Sequence, residues 1–292
     1  MIRTFQSFAK INLFLYVTGR RDDGYHELIS LMTRIDLHDD IQIDFNALKL
    51  SVSCSHPEVP EDNSNLALKA VRLFYRQLAD HDAGVQNRIS IHIGKTIPPG
   101  GGLGGGSSNA ATVLSALNDY HGSPFSRQQL MTMGLKLGAD IPFFIFGKPS
   151  IARGVGEKLE PIENLKPYYL VLCDPGVSSS TADVYKNIDF RLTFGQKRNI
   201  KTGLNVPLRG QVLDAVESLH NDLEESACRL YPEIGQAKKE MSVLLGRKVH
   251  MSGSGSSLFT LYPSLKDAEA GFEYLSEKWS GSRRKVFLSS FV

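Results

Sequence analysis

The sequence predicts an α+β fold in two domains, and three observations carry that reading. A chain of 292 residues is longer than one small core requires. Period-two segments crowd its first third, and segments of helical period are intermixed with further strands through the rest. Hydrophobic residues make up 41% and charged residues 22%, ordinary globular usage that supplies enough apolar surface for real cores and excludes disorder as the main state. A boundary is expected near residue 155, dividing residues 1–155 from 156–292.

Ala9 to Val17 is an apolar, strand-like run ended by turn chemistry at residues 18–24, with Lys10 and Asn12 on one face. Glu27 to Leu37, Asp40 to Phe45 and Leu48 to Val52 read as further strands. Asn65 to Leu78 sets Leu66, Val71, Phe74 and Leu78 at near-helical spacing behind a capping stretch. Ile89, Ile91 and Ile93 alternate with polar neighbours, the mark of a strand with one buried face. From Asn109 onward Ala110, Val113, Leu114 and Leu117 share a helical face, and a second helix spans Ser126 to Leu137. Gly138 ends it, and Pro142 disfavours helical geometry at Ile141, so Asp140 is expected in a short, stiff connection.

The second domain opens with a hairpin at Arg153 to Gly156, then a strand at Tyr168 to Cys173 and a Pro-Gly turn. Helices are expected at Ala182 to Lys186, Gln211 to Leu219, Ile234 to Leu245 and Lys266 to Lys278, with strands at Leu258 to Tyr262 and Lys285 to Phe291. Phe194 to Arg209 reads as an irregular loop, and no internal repeat is present.

A formal charge of +2 without a Lys/Arg stripe argues against nucleic acid as partner. Cys54, Cys173 and Cys228 are far apart and read as reduced thiols. No apolar run is long enough to cross a membrane and no export signal opens the chain, so a cytoplasmic location is expected. His38, His92 and His250 are isolated and suggest no metal cage. The expected partner is a small molecule; no feature sets an oligomeric state.

The chemistry concentrates between Pro98 and Ser108. Glycine fills six of the seven positions from 100 to 106, broken only by Leu103, so backbone lines the surface. Pro98, Pro99, Gly100, Gly101, Gly102, Leu103, Gly104, Gly105, Gly106, Ser107 and Ser108 join a strand to a helix N-terminus, where successive N–H groups and the helix dipole favour phosphate. A flexible linker is the bland alternative, but linkers do not ordinarily join a strand directly to an amphipathic helix. The loop lacks the Lys-Ser/Thr ending of a Walker A motif, and its glycine spacing does not suit a dinucleotide fingerprint.

This loop, Ala9-Lys-Ile-Asn-Leu-Phe-Leu near the start, and Met251-Ser-Gly-Ser-Gly-Ser-Ser-Leu-Phe259 near the end together resemble the GHMP kinase superfamily, in that superfamily's order. The resemblance implies a two-domain architecture with the active site in the cleft between domains, and ATP with Mg2+ as cofactors. Residues 19–26 and Gly138 to Phe143 further resemble those members whose acceptor is 4-diphosphocytidyl-2-C-methyl-D-erythritol, in the non-mevalonate isoprenoid pathway. That closer resemblance implies transfer of the ATP γ-phosphoryl group to the acceptor's 2-hydroxyl, with Asp140 as base and Lys10 as electrostatic partner. Taken alone, Asp140 reads as a cap or turn residue and Lys10 as a solvated strand charge. By the same resemblance Asn12, Tyr25, His26 and Tyr185 meet the substrate, with Tyr185 standing where the family often carries Phe. Asn65 and Lys95 border the adenine. No carboxylate cluster identifies Mg2+ ligands, so the metal-binding residues stay unassigned.

Overall fold

The period-two runs of the first third form two long strands, β1 (Ile2–Arg20) and β2 (His26–Asp44). Gly24, at φ +87°, turns the chain between them, and Arg21 N–H donates to the Tyr25 carbonyl at 2.8 Å. The computed structural model describes residues 1–79, 88–188 and 212–292. Sequence periodicity breaks β2 at His38-Asp39, but the strand runs through: Asp39 is completely buried and its carboxylate is hydrogen-bonded, which removes the reason for a turn.

The chain divides into two compact units, each assembled from three segments. The first contains Met1–Ala9, Leu37–Pro99 and Gly104–Lys148. Here β4 (Ser90–Gly94) pairs antiparallel with the end of β2, setting Ile41 against Ile93 and Ile43 against Ile91, while β3 (Ser51–Cys54) runs parallel along β4. Helices α1 (Leu66–Ala79), α2 (Gly105–Tyr120), α3 (Arg127–Leu135) and α4 (Ile141–Phe146) complete the unit. A Ser126–Gln129 capping box starts α3. Helix α4 begins at Ile141, where the sequence suggests non-helical backbone: Pro142 falls in the first turn, where its missing N–H has no intrahelical partner to lose. A Cβ on Gly134 would stand 2.6 Å from Ile141 Cγ2, so the glycine is what lets α3 approach α4.

The second unit contains Lys10–Asp36, Gly100–Leu103 and Pro149–Val292. The first part of β2 pairs with β5 (Ser150–Gly154), which forms the expected hairpin with β6 (Lys158–Pro161). A four-stranded antiparallel sheet runs β11 (Lys285–Ser290), β7 (Tyr169–Asp174), β10 (Leu258–Tyr262) and β9 (His250–Met251). Short β8 (His220–Asn221) lies parallel to β1. Helices α5 (Thr181–Lys186), α6 (Glu224–Leu230), α7 (Pro232–Leu245) and α8 (Leu265–Lys278) belong to this unit, whose buried core includes Val171, Val184, Ile234, Met241, Leu258 and Leu275.

The structure corrects one expectation in this unit and adds one element. In place of a helix over Gln211 to Leu219, the described part of that segment holds a 3-10 turn at Ala215–Ser218. Asp214 caps it through Val216 N–H and also accepts from Lys166 Nζ and Tyr168 Oη, so its side chain anchors an irregular segment. Helix α6 has no counterpart in the sequence reading, since seven residues carry too little periodicity. The loop expected at Phe194 to Arg209 lies outside the described residues.

His250 gives the second unit an acid-sensitive spot. Burial pulls its pKa down to about 4, against the opposing charge of Glu224. The unfolded chain therefore binds a proton near pH 6.5 that the folded chain refuses until about pH 4, so stability falls as pH drops through that window. The full effect is roughly 3 kcal/mol. Denaturant melts from pH 7 to 4 are expected to show this slope, and His250→Asn to flatten it; an equal slope in both proteins would exonerate His250.

Candidate functional site

Lys10 and Asn12 lie on one face of β1, each 4% exposed. Lys10 Nζ donates to Asn12 Oδ1 at 2.6 Å, and Asn12 Nδ2 donates to Ser30 Oγ at 2.8 Å, which in turn donates to the Phe14 carbonyl at 2.7 Å. This chain of bonds fixes the amide's orientation and aims its oxygen at the ammonium. The backbone joins in: Lys10 N–H donates to the Leu103 carbonyl at 3.0 Å, tying the strand to the glycine loop.

The loop itself alternates left-handed glycines, with φ +67° at Gly100, +73° at Gly102 and +69° at Gly104. Leu103, its one large side chain, is buried. The Ser252–Ser257 loop closes over residues 100–103 by backbone contact. Ser257 N–H donates to the Gly101 carbonyl at 3.0 Å, and Ser252 Oγ donates to the Gly102 carbonyl at 3.1 Å while accepting Asn12 N–H at 3.3 Å. A Cβ on Gly253 would stand 3.3 Å from Asn12 Oδ1 and 3.5 Å from Lys10 Nζ. Three motifs distant in sequence thus interlock through Lys10, Gly102 and Ser252. Thr181, at the start of α5, exchanges a hydrogen bond with Ser254 Oγ at 2.8 Å, and Ser179 Oγ donates to the Ser254 carbonyl at 3.0 Å, so the helix bearing Tyr185 is fastened to the same loop.

Gly104 occupies the N-cap of α2 without a side chain, and the first-turn amides of such a helix have no intrahelical acceptor, the donor set that suits phosphate. Ser107 is half-buried beside it. Ser108 turns inward: its Oγ donates to the Phe8 carbonyl at 2.6 Å and accepts from Ser7 Oγ at 2.8 Å. Lys95 is buried against Asp39, and burial lowers its pKa despite that partner. Asn65 caps α1, accepting from Ala67 N–H at 2.9 Å and donating to the Pro60 carbonyl at 2.6 Å. Asp140 is half-buried at the N-cap position of α4, yet its side chain makes no capping bond.

Of the expected substrate contacts, His26 and Tyr185 are brought together as stacked rings with centroids 5.0 Å apart, whereas Tyr25 is 62% exposed at the hairpin turn. Burial, and next the nearby positive charge of Arg20, lower the His26 pKa, which favours a neutral ring with one donor and one acceptor nitrogen. Sequence reasoning misses Asp39, Ser7, Ser30 and Thr181. None belongs to a motif, and each matters through a partner far along the chain. Among the described residues, no group of three or more His, Cys, Asp and Glu could hold a metal ion, and no helix is long and apolar enough to cross a membrane.

The GHMP kinases N terminal domain matches residues 65–148 and the GHMP kinases C terminal domain matches residues 209–281. The chain is 42% identical to the 4-diphosphocytidyl-2-C-methyl-D-erythritol kinase of Syntrophotalea carbinolica, over 95% of each chain. Among solved structures, a 4-(cytidine 5'-diphospho)-2C-methyl-D-erythritol kinase aligns over 99% of each chain at 32% identity and a TM-score of 0.75. A homoserine kinase from Cytophaga hutchinsonii covers 99% of this chain and 94% of its own at 17% identity with a TM-score of 0.72, a likeness of fold.

Proposed function

We propose, from the premise that this chain belongs to the GHMP kinases and is an ATP-dependent phosphotransferase, that its acceptor is 4-diphosphocytidyl-2-C-methyl-D-erythritol and its place is in isoprenoid precursor synthesis. The observation that carries the reading is the interlock of Lys10, Gly102 and Ser252, which sets a fixed cation against a side-chain-free loop. Residues 1–155 supply the nucleotide loop and the catalytic pair, and residues 156–292 supply Tyr185 and the Ser252 loop.

Asp140 accepts the proton of the acceptor's 2-hydroxyl as its oxygen bonds the γ-phosphorus. The bond from that phosphorus to the bridging β-oxygen breaks, and ADP leaves with the electron pair. Lys10, held by Asn12, offsets the negative charge that develops on the transferring group. Backbone N–H groups from Gly100 to Ser107 hold the phosphates, with Ser108 anchoring the loop from below. Bound with the ATP phosphates, Mg2+ would offset their charge; no residue of the chain is assigned to hold it. Asn65 and the main chain at Lys95 border the adenine, the Lys95 side chain being turned inward onto Asp39. Tyr185 stacks on the cytosine, Tyr25 covers its other face, and His26 presents a neutral ring to its polar edge.

The test is ADP release with ATP, Mg2+ and 4-diphosphocytidyl-2-C-methyl-D-erythritol, beside mevalonate and homoserine. Turnover with the cytidyl alcohol alone is expected; turnover with another acceptor in its place would discard the cytosine pocket. For Tyr185→Ala, KM for the cytidyl alcohol should rise by the value of one base stack, about 1 to 3 kcal/mol, with Tyr185→Phe close to the parent. An unaltered KM in the Ala variant would remove Tyr185 from the site.

A further inference from the structure

Asp39 is completely buried on β2, and donors from both ends of the glycine loop surround its carboxylate. Oδ1 accepts the backbone N–H groups of Thr96 and Ile97, both at 2.8 Å. Oδ2 accepts from Lys95 Nζ at 2.8 Å and from Asn109 Nδ2 at 2.9 Å. Thr96 and Ile97 immediately precede Pro98, and Asn109 follows Ser108 in the second turn of α2. We infer that Asp39 is a positioning residue for nucleotide binding, a single carboxylate that holds both ends of the phosphate loop in register; this rests on reading that loop as the phosphate site.

A buried carboxylate is costly, and an apolar side chain would fill the same core position more simply. What the carboxylate supplies is direction. Two consecutive amides that share one oxygen set the angle at which the chain leaves β4, and the Asn109 amide sets where α2 begins. The glycines between have no side chains to order them, so their order comes from the ends. Lys95 neutralises the carboxylate and also donates to the Ile97 carbonyl, and its Nζ would stand 3.0 Å from a Cβ on Gly105, directly beside the start of α2. From Asn109 the bonding continues through Ser7 Oγ at 3.0 Å to Ser108, so the helix end is also fastened to β1.

The test is the affinity of ADP with Mg2+ and of adenosine, by calorimetry and competition, on the full chain. Asp39→Asn keeps the shape and both Oδ1 bonds but turns an amide donor toward Lys95 Nζ and Asn109 Nδ2. Its Kd for ADP should rise about tenfold or more, the loss expected for a charged hydrogen bond, with adenosine within twofold. Asn109→Ala cuts the clamp at the helix end alone and should weaken ADP by about two- to tenfold, again sparing adenosine. ADP affinity within twofold of the parent in Asp39→Asn would overturn the inference, as would equal losses for ADP and adenosine, the pattern of mere loosening. If Asp39→Asn does not fold, the same two affinities in Asn109→Ala decide. The acceptor alcohol is absent from this readout, so the clamp and the acceptor assignment can fail separately.

Discussion

Asp140→Asn is expected to lower kcat by roughly 10²- to 10⁴-fold, the range for a general base, while leaving the Kd for ADP with Mg2+ within twofold. That loss corresponds to about 3 to 5 kcal/mol of barrier. The substitution is nearly isosteric and its setting is stiff: Ile141 and Phe143 are buried on α4, and Ile141 N–H donates to the Gly138 carbonyl at 3.2 Å. The amide keeps the size and shape of the carboxylate, so the change should cost little stability. A parent-like melting temperature with collapsed turnover would isolate the chemistry. Turnover within tenfold of the parent would move the base role elsewhere and leave Lys10 as the principal catalytic group.

Gly102→Ala should have the larger effect on the fold. Residue 102 sits at φ +73°, where an L side chain is strained by about 1 to 2 kcal/mol. Its Cβ would also overlap the Ser252 carbonyl oxygen and lie 2.8 Å from the Gly255 carbonyl oxygen, and neither is the tip of a flexible side chain. Overpacking against backbone adds about 1 to 3 kcal/mol, so a loss of about 2 to 5 kcal/mol is expected. Separation of the two loops would release Ser252 from Asn12 as well, so turnover should fall along with stability. Gly106→Ala is the control: its Cβ would meet Leu66 Cδ1 at an ordinary 3.6 Å, at a helical position without positive φ. Thermal melts should separate the two variants clearly. A Gly102→Ala protein as stable as the parent would mean that the loops are not held in this contact.

The elements legible in the sequence are those whose signal is local. The alternating isoleucines of β4, the capped periodicity of α1 and the hairpin of β5 and β6 each state their structure within one short stretch of chain. The glycine loop is legible from its glycine content, whereas Lys10 and the Ser252 loop are legible through the resemblance to the GHMP kinase superfamily. Asp39 is not. An aspartate among charged neighbours between two apolar runs looks like a break, and only its four donors, brought from 56 to 70 residues away, make it an interior strand residue. Asp214 shows the same limit, since a bond to Tyr168, 46 residues away, holds a segment whose local periodicity reads as helix.

By itself the sequence determined the α+β class, a two-domain architecture, membership of a phosphate-handling kinase superfamily and the motifs that carry the chemistry, because period, glycine content and motif order are properties of the chain alone. The tertiary structure decided that Asn12 orients Lys10, that Ser252 closes on Gly102, that His26 stacks on Tyr185, and that Asp39 ties down both ends of the loop. Most of these contacts join residues far apart in the chain, through side chain or main chain, and no local pattern specifies those partners. Burial and hydrogen-bond partnership, not residue type, give those side chains their roles.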